Sequence, residues 1–316
     1  MALHVVFGAG QIGASLAHRL ASQGQQVRVA RRSARPIAGP GIEVVSGDAT
    51  DSAFTLRASQ GASVIYHCMN PSAYTGAAWK KEFPAQGEAL IAAAIATGAR
   101  LVCLDNLYAY GVVDGARTET TPLGATGPKG RVRVAWDVRL RAARSDGLRY
   151  VVGRAGDFFG PGTADNSLIS PSAVAGLAVG RAPWLIGDTA APHAFSYVPD
   201  VVAGLAALGG APDDAVDGAI FHLPVVTVPP GELITRIATA LGSSTRARSL
   251  PAWVVPLLGT VVPLFRELRE TLYQWDRPFL IDDSAFRTRF PGIASSLSQA
   301  VMGTAATVPK AAHSGR

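Results

Sequence analysis

The chain has 316 residues, 48% of them hydrophobic and 16% charged, with a formal net charge of +6. That composition supports a sizeable core and excludes a chain disordered through most of its length. The basic surplus gathers at Arg31–Arg35 and Lys129–Arg144 without interleaved aromatic residues, which suits an anionic small molecule and argues against a nucleic-acid partner.

Leu3–Phe7 is an apolar run and reads as a first strand. Gln11–Gln23 has helical spacing through Ile12, Leu16 and Leu20 and stops at Gly24. Val27–Ala30 and Glu43–Val45 are the second and third strands, the latter closing at Gly47-Asp48. Asp51 caps a predicted helix to about Ser59, and Val64–His67 is strand four. Trp79–Thr97 is a long helix ended by Gly98, followed by strand Leu101–Leu104. After the long connection Asp105–Gly130 come helix Arg131–Ser145 and strand Leu148–Val152. This alternation predicts an α/β fold, a doubly wound parallel Rossmann sheet with a smaller carboxyl-terminal substrate lobe. Residues 1–165 with about 195–222 are expected to form the Rossmann domain, 166–194 and 223–302 the lobe, and 303–316 a flexible tail.

Trp253–Phe265 is apolar but carries Pro256 and Pro263 and is too short to span a bilayer, so a lobe helix or lid is expected and no membrane partner. Cys68 and Cys103 end apolar runs and read as reduced core thiols; no metal-ligand spacing is present. The start has no secretory pattern, so a cytoplasmic location is expected.

Gly8-Ala9-Gly10-Gln11-Ile12-Gly13 is a Gly-x-Gly-x-x-Gly turn between a strand and a helix. The first glycine permits the turn, the second lets a pyrophosphate approach the backbone, and the third lets helix and strand pack. Dinucleotide sites that prefer NAD place an acid after strand two; here Arg31 and Arg32 stand there, with no acidic residue between Gly13 and Glu43. Two guanidinium groups match a 2′-phosphate, so NADP(H) is the expected cofactor. Asp48 is placed to meet the adenine edge or to serve as a helix cap.

Taken with further segments in the same order, the sequence resembles the extended short-chain dehydrogenase/reductase superfamily, in its epimerase and dehydratase branch, across roughly residues 3–290. Val5–Gly13 resembles its cofactor turn, Gly47-Asp48 its adenine-contacting pair, and Tyr66–Asn70 its fourth-strand segment beside the cofactor, implying roles for Met69 and Asn70. Leu104–Gly111, Arg154–Gly162 and His193–Val201 resemble three later segments, with Asp157 where the family has Asn and His193 where sugar-nucleotide enzymes often carry Arg. The family's proton relay uses Ser or Thr, Tyr and Lys. Threading this chain puts Asn106, Lys129 and Arg133 in those places, so all three are changed and the active site is expected to be atypical.

Lys129 and Arg133 are four apart and share a helix face if the helix has begun. A protonated Lys129 could donate to a developing oxyanion, Arg133 could hold the ribose hydroxyls, and Asn106 could orient a carbonyl oxygen. Tyr108 is the candidate replacement for the lost phenol. Trp79, Asp157, Phe158 and His193 are expected at the substrate, with Phe159 and Trp184 as further apolar wall. Three functions fit: an NADP(H)-dependent oxidoreductase of a small, fairly apolar carbonyl or alcohol; an isomerase, epimerase or dehydratase that keeps its nicotinamide; and a non-catalytic NADP sensor. The resemblance also implies a homodimer packed through helices Trp79–Thr97 and Arg131–Ser145.

Overall fold

The computed structural model describes residues 2–309. Its first half follows the expected alternation: β1 (Leu3–Phe7), α1 (Gly13–Ser22), β2 (Gln26–Arg31), β3 (Ile42–Ser46), α2 (Ser52–Ser59) and β4 (Ala62–His67). Then come α3 (Gly76–Thr97), β5 (Arg100–Asp105), β6 (Ala116–Arg117), α4 (Pro128–Ala143), β7 (Tyr150–Arg154) and β8 (Asp157–Phe159). The second half holds α5 (Pro171–Ala178), β9 (Trp184–Ile186), β10 (His193–Tyr197), α6 (Val198–Gly210), α7 (Asp213–Val216), β11 (Ile220–His222) and β12 (Val226–Val228). It ends with α8 (Pro230–Ala240), β13 (Arg248–Leu250), α9 (Val254–Leu258), α10 (Pro263–Leu268), β14 (Leu280–Ile281), α11 (Ser284–Arg289) and α12 (Leu297–Ala305).

Seven parallel strands form the central sheet in the order β11-β7-β5-β4-β1-β2-β3. Its inner strands are buried on both faces, which is why they read as continuous apolar runs rather than alternating ones. One core face packs Val5, Phe7 and Ile65 against Phe83, Leu90 and Trp136 of α3 and α4. The other packs Val6, Val29 and Val151 against Leu16 and Leu20 of α1 and Val201 and Leu205 of α6. Asp51 caps α2 as expected, accepting from Ala53 N at 2.9 Å. Both long helices begin earlier than expected. Thr75 caps α3, its Oγ1 accepting from Ala78 N at 3.2 Å, and α4 opens on Pro128, whose fixed φ suits a first helical position.

A three-stranded sheet, β12-β10-β8, and a two-stranded sheet, β13-β9, lie outside the central one. Their core gathers Phe159, Leu177, Leu185, Phe195, Leu233 and Ile237. The chain does not fray from Gly303: α12 runs to Ala305, because Ala300, Val301, Thr304 and Ala305 are buried. Only the remainder of the expected tail, residues 310–316, lies outside the described residues. No helix among the described residues is long and apolar enough to cross a membrane, and none of their His, Cys, Asp and Glu side chains gather into a metal-binding group.

Candidate active site

The carboxyl ends of β1, β4, β5 and β7 meet at one edge of the sheet, where doubly wound folds bind ligands. Gly8 takes φ +99°, and a Cβ there would lie 2.7 Å from the Cys68 carbonyl oxygen. At Gly13 a Cβ would lie 1.8 Å from the Gly8 carbonyl oxygen. Backbone cannot rotate aside as a side chain can, so both positions demand glycine. Gly10 differs: a Cβ there meets nothing within 4 Å. No backbone carbonyl among the described residues accepts from the Gln11 or Ile12 N–H groups, and the Ile12 side chain is buried in the core. Free donors at a helix start beside open space fit the pyrophosphate of a dinucleotide. The Gln11 side chain is turned to the lobe, its Oε1 accepting from Ala164 N at 2.9 Å and from Ser167 Oγ at 3.3 Å.

The three glycines should therefore respond differently to a methyl group. Gly13→Ala should cost about 3 kcal/mol or more in stability, since the overpacking is against backbone. Gly10→Ala should leave stability within about 1 kcal/mol yet weaken cofactor binding at least about tenfold by filling the approach space. Urea unfolding and a cofactor fluorescence titration on each variant test this; equal stability losses would reject the distinction.

Arg31, at the end of β2, donates weakly to the Arg35 carbonyl at 3.5 Å, and Arg32 is exposed. Asp48 accepts from Thr50 N and Oγ1, both at 2.9 Å; these bonds, more than the nearby Arg32, hold its carboxyl below the usual range. The cap of α2 is Asp51, leaving Asp48 exposed at the edge. Met69 packs over Gly8, and Asn70 Oδ1 accepts from Arg133 Nη2 at 2.9 Å.

Lys129 and Arg133 do share the first turns of α4, but neither is open to a substrate. The Lys129 side chain is 1% exposed. Its Nζ meets Glu267 Oε2 at 2.7 Å, the Glu267 carbonyl at 3.1 Å and Glu270 Oε2 at 3.4 Å, so its three protons are all engaged. The two glutamates also accept from the first amides of the long helices, Glu267 from Gly76 N at 3.0 Å and Glu270 from Gly130 N at 2.8 Å. This arrangement corrects the expectation of Lys129 as an oxyanion donor: the ammonium clasps the carboxyl-terminal segment to the sheet domain. The signal was two glutamates three apart in the amphipathic run after Pro263. Arg133 is 2% exposed and lies 3.0 Å from Asp105, with Trp79 and Phe83 against its guanidinium.

Asp105 is the centre of a buried charge cluster that sequence reasoning missed. Arg133 and Arg154 both face it, and Arg154 also meets Asp137 at 3.1 Å. Arg154 Nη1 donates to the Tyr110 hydroxyl at 2.7 Å. His222 Nδ1 faces the Asp282 carbonyl, which can only accept, so Nε2 is left to accept from Tyr110 at 2.7 Å. Tyr110 is thus consumed by the framework.

Above this cluster stands Tyr108. Its hydroxyl lies 3.0 Å from that of Tyr74, and its ring stacks on Trp79 with centroids 5.8 Å apart. Burial holds the Tyr108 phenol well above its usual pKa and raises that of Tyr74, so both keep their protons at neutral pH. Asn106 spends its Oδ1 on Tyr108 N at 3.0 Å, fixing the turn. Trp79 is 2% exposed and is the floor beneath Tyr108 rather than a substrate wall. Phe159 is likewise core, Trp184 is 60% exposed beside Arg248, and Phe158 packs partly on the sheet domain.

Asp157 and His193 come together. His193 Nδ1 lies 3.1 Å from the Gln274 carbonyl, which can only accept, and Nε2 lies 2.9 Å from Asp157 Oδ2. His193 is buried between Trp275 and Phe279, whereas the Asp157 side chain is 31% exposed. A histidine so engaged does not serve as the diphosphate-binding cation of a sugar-nucleotide site.

A family model described as the NAD dependent epimerase/dehydratase family matches residues 4–223. The 3beta-hydroxysteroid-dehydrogenase/decarboxylase isoform 2 of Arabidopsis thaliana is 24% identical over 246 residues, covering 71% of this chain and 42% of that protein. The chain thus spans less than half the length of that relative. Among solved structures, a double mutant of the dTDP-glucose 4,6-dehydratase DesIV of Streptomyces venezuelae, with NAD and DAU bound, superposes with a TM-score of 0.76 at 22% identity, covering 97% of this chain and 96% of that one. UDP-glucose 4-epimerase of Thermotoga maritima, with UDP-glucose, gives 0.77 at 17% identity, with 96% and 98% covered. At these identities the superpositions establish the fold.

Proposed function

Because the chain belongs to the NAD-dependent epimerase/dehydratase family, we propose that it is an NADP(H)-dependent oxidoreductase acting on a small, fairly apolar carbonyl or alcohol between the sheet domain and the lobe. The observation that carries this is the desolvated Tyr108–Tyr74 pair, standing where the usual relay is missing. A bound nicotinamide supplies or accepts the hydride. Tyr108 supplies the proton to the carbonyl oxygen, and Tyr74, at 3.0 Å, passes a proton on to it. Raised phenol pKa values favour the protonated acid and hence the reduction direction. The Asn106 amide nitrogen orients the same oxygen. The alcohol-oxidising name of the Arabidopsis relative supports this chemistry. Tyr108→Phe should lower kcat by about 10²–10⁴-fold in NADPH-consumption assays over a carbonyl panel. Unchanged turnover would remove Tyr108 from the role.

Arg31 and Arg32 are the basis for NADP(H). Replacing both by Ala should weaken NADPH binding by about 100-fold or more, at roughly tenfold or more per charge-assisted bond, and leave NADH nearly unchanged. Equal losses for the two cofactors in a fluorescence titration would reject the 2′-phosphate assignment.

A second function, epimerisation or dehydration with a retained nicotinamide, is favoured by the dehydratase and epimerase folds that superpose. Cofactor that survives purification, with no net NADPH consumption, would select it. Val138, 60% exposed on α4, suits the homodimer expected through α3 and α4; a monomer mass by light scattering would reject that dimer.

A further inference from the structure

Five large apolar side chains in residues 253–264, Trp253, Leu257, Val261, Val262 and Leu264, are between 38% and 77% exposed. They cover α9, the start of α10 and the turn between them. Surfaces that meet only water rarely gather apolar side chains in this way. The packing beneath explains the arrangement. Val255 and Gly259, one helical turn apart, are buried, while Trp253 and Leu257, also one turn apart, are exposed. A Cβ at Gly259 would lie 3.0 Å from Arg266 N, so the two helices meet backbone to backbone there. On the inner side Glu267 and Glu270 hold Lys129, which ties the pair to the sheet domain.

The charge around this patch has one sign. From residue 241 to residue 269 the charged side chains are Arg246, Arg248, Arg266, Arg269 and Glu267. Glu267 is engaged by Lys129 and Gly76 N. All four arginines are exposed, and none is ion-paired among the described residues. Pairing of β13 with β9 sets Arg248 opposite Trp184, its guanidinium 5.5 Å from the ring centroid, so a second exposed indole stands at the arginine rim.

We propose that the α9–α10 pair docks on the surface of an anionic phospholipid bilayer, with its apolar side chains at the acyl boundary and its arginines among the headgroups. The segment is too short to cross a bilayer, but lying on one needs only an apolar face, interfacial tryptophan and a cationic rim. Side chains this exposed project outward, whereas a groove that seats a peptide shelters its own lining. Charge disfavours a second copy of the chain as the occupant, since an isologous contact would set four arginines against four.

The test sediments the full chain, without cofactor or substrate, with vesicles of phosphatidylcholine alone and of phosphatidylcholine with phosphatidylserine. Binding should be at least about tenfold tighter on the anionic vesicles and should weaken as salt is raised. Arg246→Gln with Arg266→Gln should weaken it by about 25-fold, at roughly fivefold per arginine. Trp253→Gln with Val261→Gln should weaken it by about 100-fold, at roughly tenfold per apolar side chain withdrawn from lipid. Lipids brominated in their acyl chains should quench wild-type fluorescence, and Trp253→Phe should lose most of that quenching. No binding to anionic vesicles, or undiminished binding by a folded Trp253→Gln, Val261→Gln variant, would overturn the docking face. Equal binding to the two vesicles would overturn the anionic assignment. A wild-type dimer by light scattering that this same variant converts to monomer would give the face to a second copy and overturn the bilayer. The two vesicles and the brominated lipid are compared on the wild type, so a variant that fails to fold does not decide the matter. Vesicle binding is read without turnover, so it stands or falls separately from the Tyr108→Phe assay.

Discussion

Asp105→Asn is expected to lower the unfolding free energy by about 3–5 kcal/mol, the cost of removing one partner from a buried ion pair. The side chain keeps its size, so the loss is one of charge. In the native cluster the buried guanidiniums of Arg133 and Arg154 face the carboxylates of Asp105 and Asp137, all four no more than 7% exposed, and the exposed Arg141 also reaches Asp137 at 2.9 Å. Neutralising Asp105 leaves Arg133 without any carboxylate, 3.0 Å from a neutral amide. Water cannot compensate, because Arg133 is packed against Trp79 and Phe83. Lys129→Met should cost less: its partners Glu267 and Glu270 are 21% and 13% exposed and can rehydrate when released. Urea unfolding of the two variants beside the wild type measures the order. A loss below about 1 kcal/mol for Asp105→Asn, or a larger one for Lys129→Met, would show that the cluster does not carry the charge balance described.

That cluster also marks where sequence reasoning stopped. The sheet domain was legible because its information is local. A buried parallel strand such as Ile65–His67 is an apolar run, α1 shows its stripe through Leu16 and Leu20, and Asp51 lies directly before the helix it caps. The Gly8–Gly13 turn was legible for the same reason, since a strand, three glycines and a helix occur within a few residues. Strand β11 was legible only as part of a returning segment, because three residues carry no period. The tail was misjudged at Gly303 since small residues signal fraying only when nothing covers them, and here α12 packs on α8 and buries Ala300 and Val301.

The candidate site followed the same division. Each of Asp157 and His193 was placed at the substrate by its own segment, but their 2.9 Å contact depends on the pairing of β8 with β10. Lys129 was matched to a family position by alignment, which fixes where the Cα lies and says nothing of partners. Those partners come from residues 138 and 141 positions later in the chain, and they change a candidate proton donor into a clasp.

The second large effect concerns acid. Burial, reinforced by the charge of Arg133, lowers the His67 pKa to about 3 from the ordinary 6.5. Its Nδ1 accepts from Met69 N at 3.3 Å, so the remaining proton is on Nε2, which has no hydrogen-bond partner and packs near Phe83 and Trp136. A depressed histidine contributes stability that is complete above its unfolded pKa and is lost as pH falls through the folded one. Between pH 6.5 and about 3 only the unfolded chain takes up this proton, so stability should fall by up to about 1.4 kcal/mol per pH unit from this group. Burial lowers His4 and His222 as well, which adds to the slope with the same sign. His67→Phe keeps an aromatic ring among aromatic neighbours and removes the titration. Its loss at pH 7 should be limited to about 1 kcal/mol for the Met69 hydrogen bond, and by pH 5 it should match or exceed the wild type in stability. Urea unfolding at pH 7, 6 and 5 gives both curves; parallel curves would place the acid sensitivity in other groups and make His67 an inert part of the core.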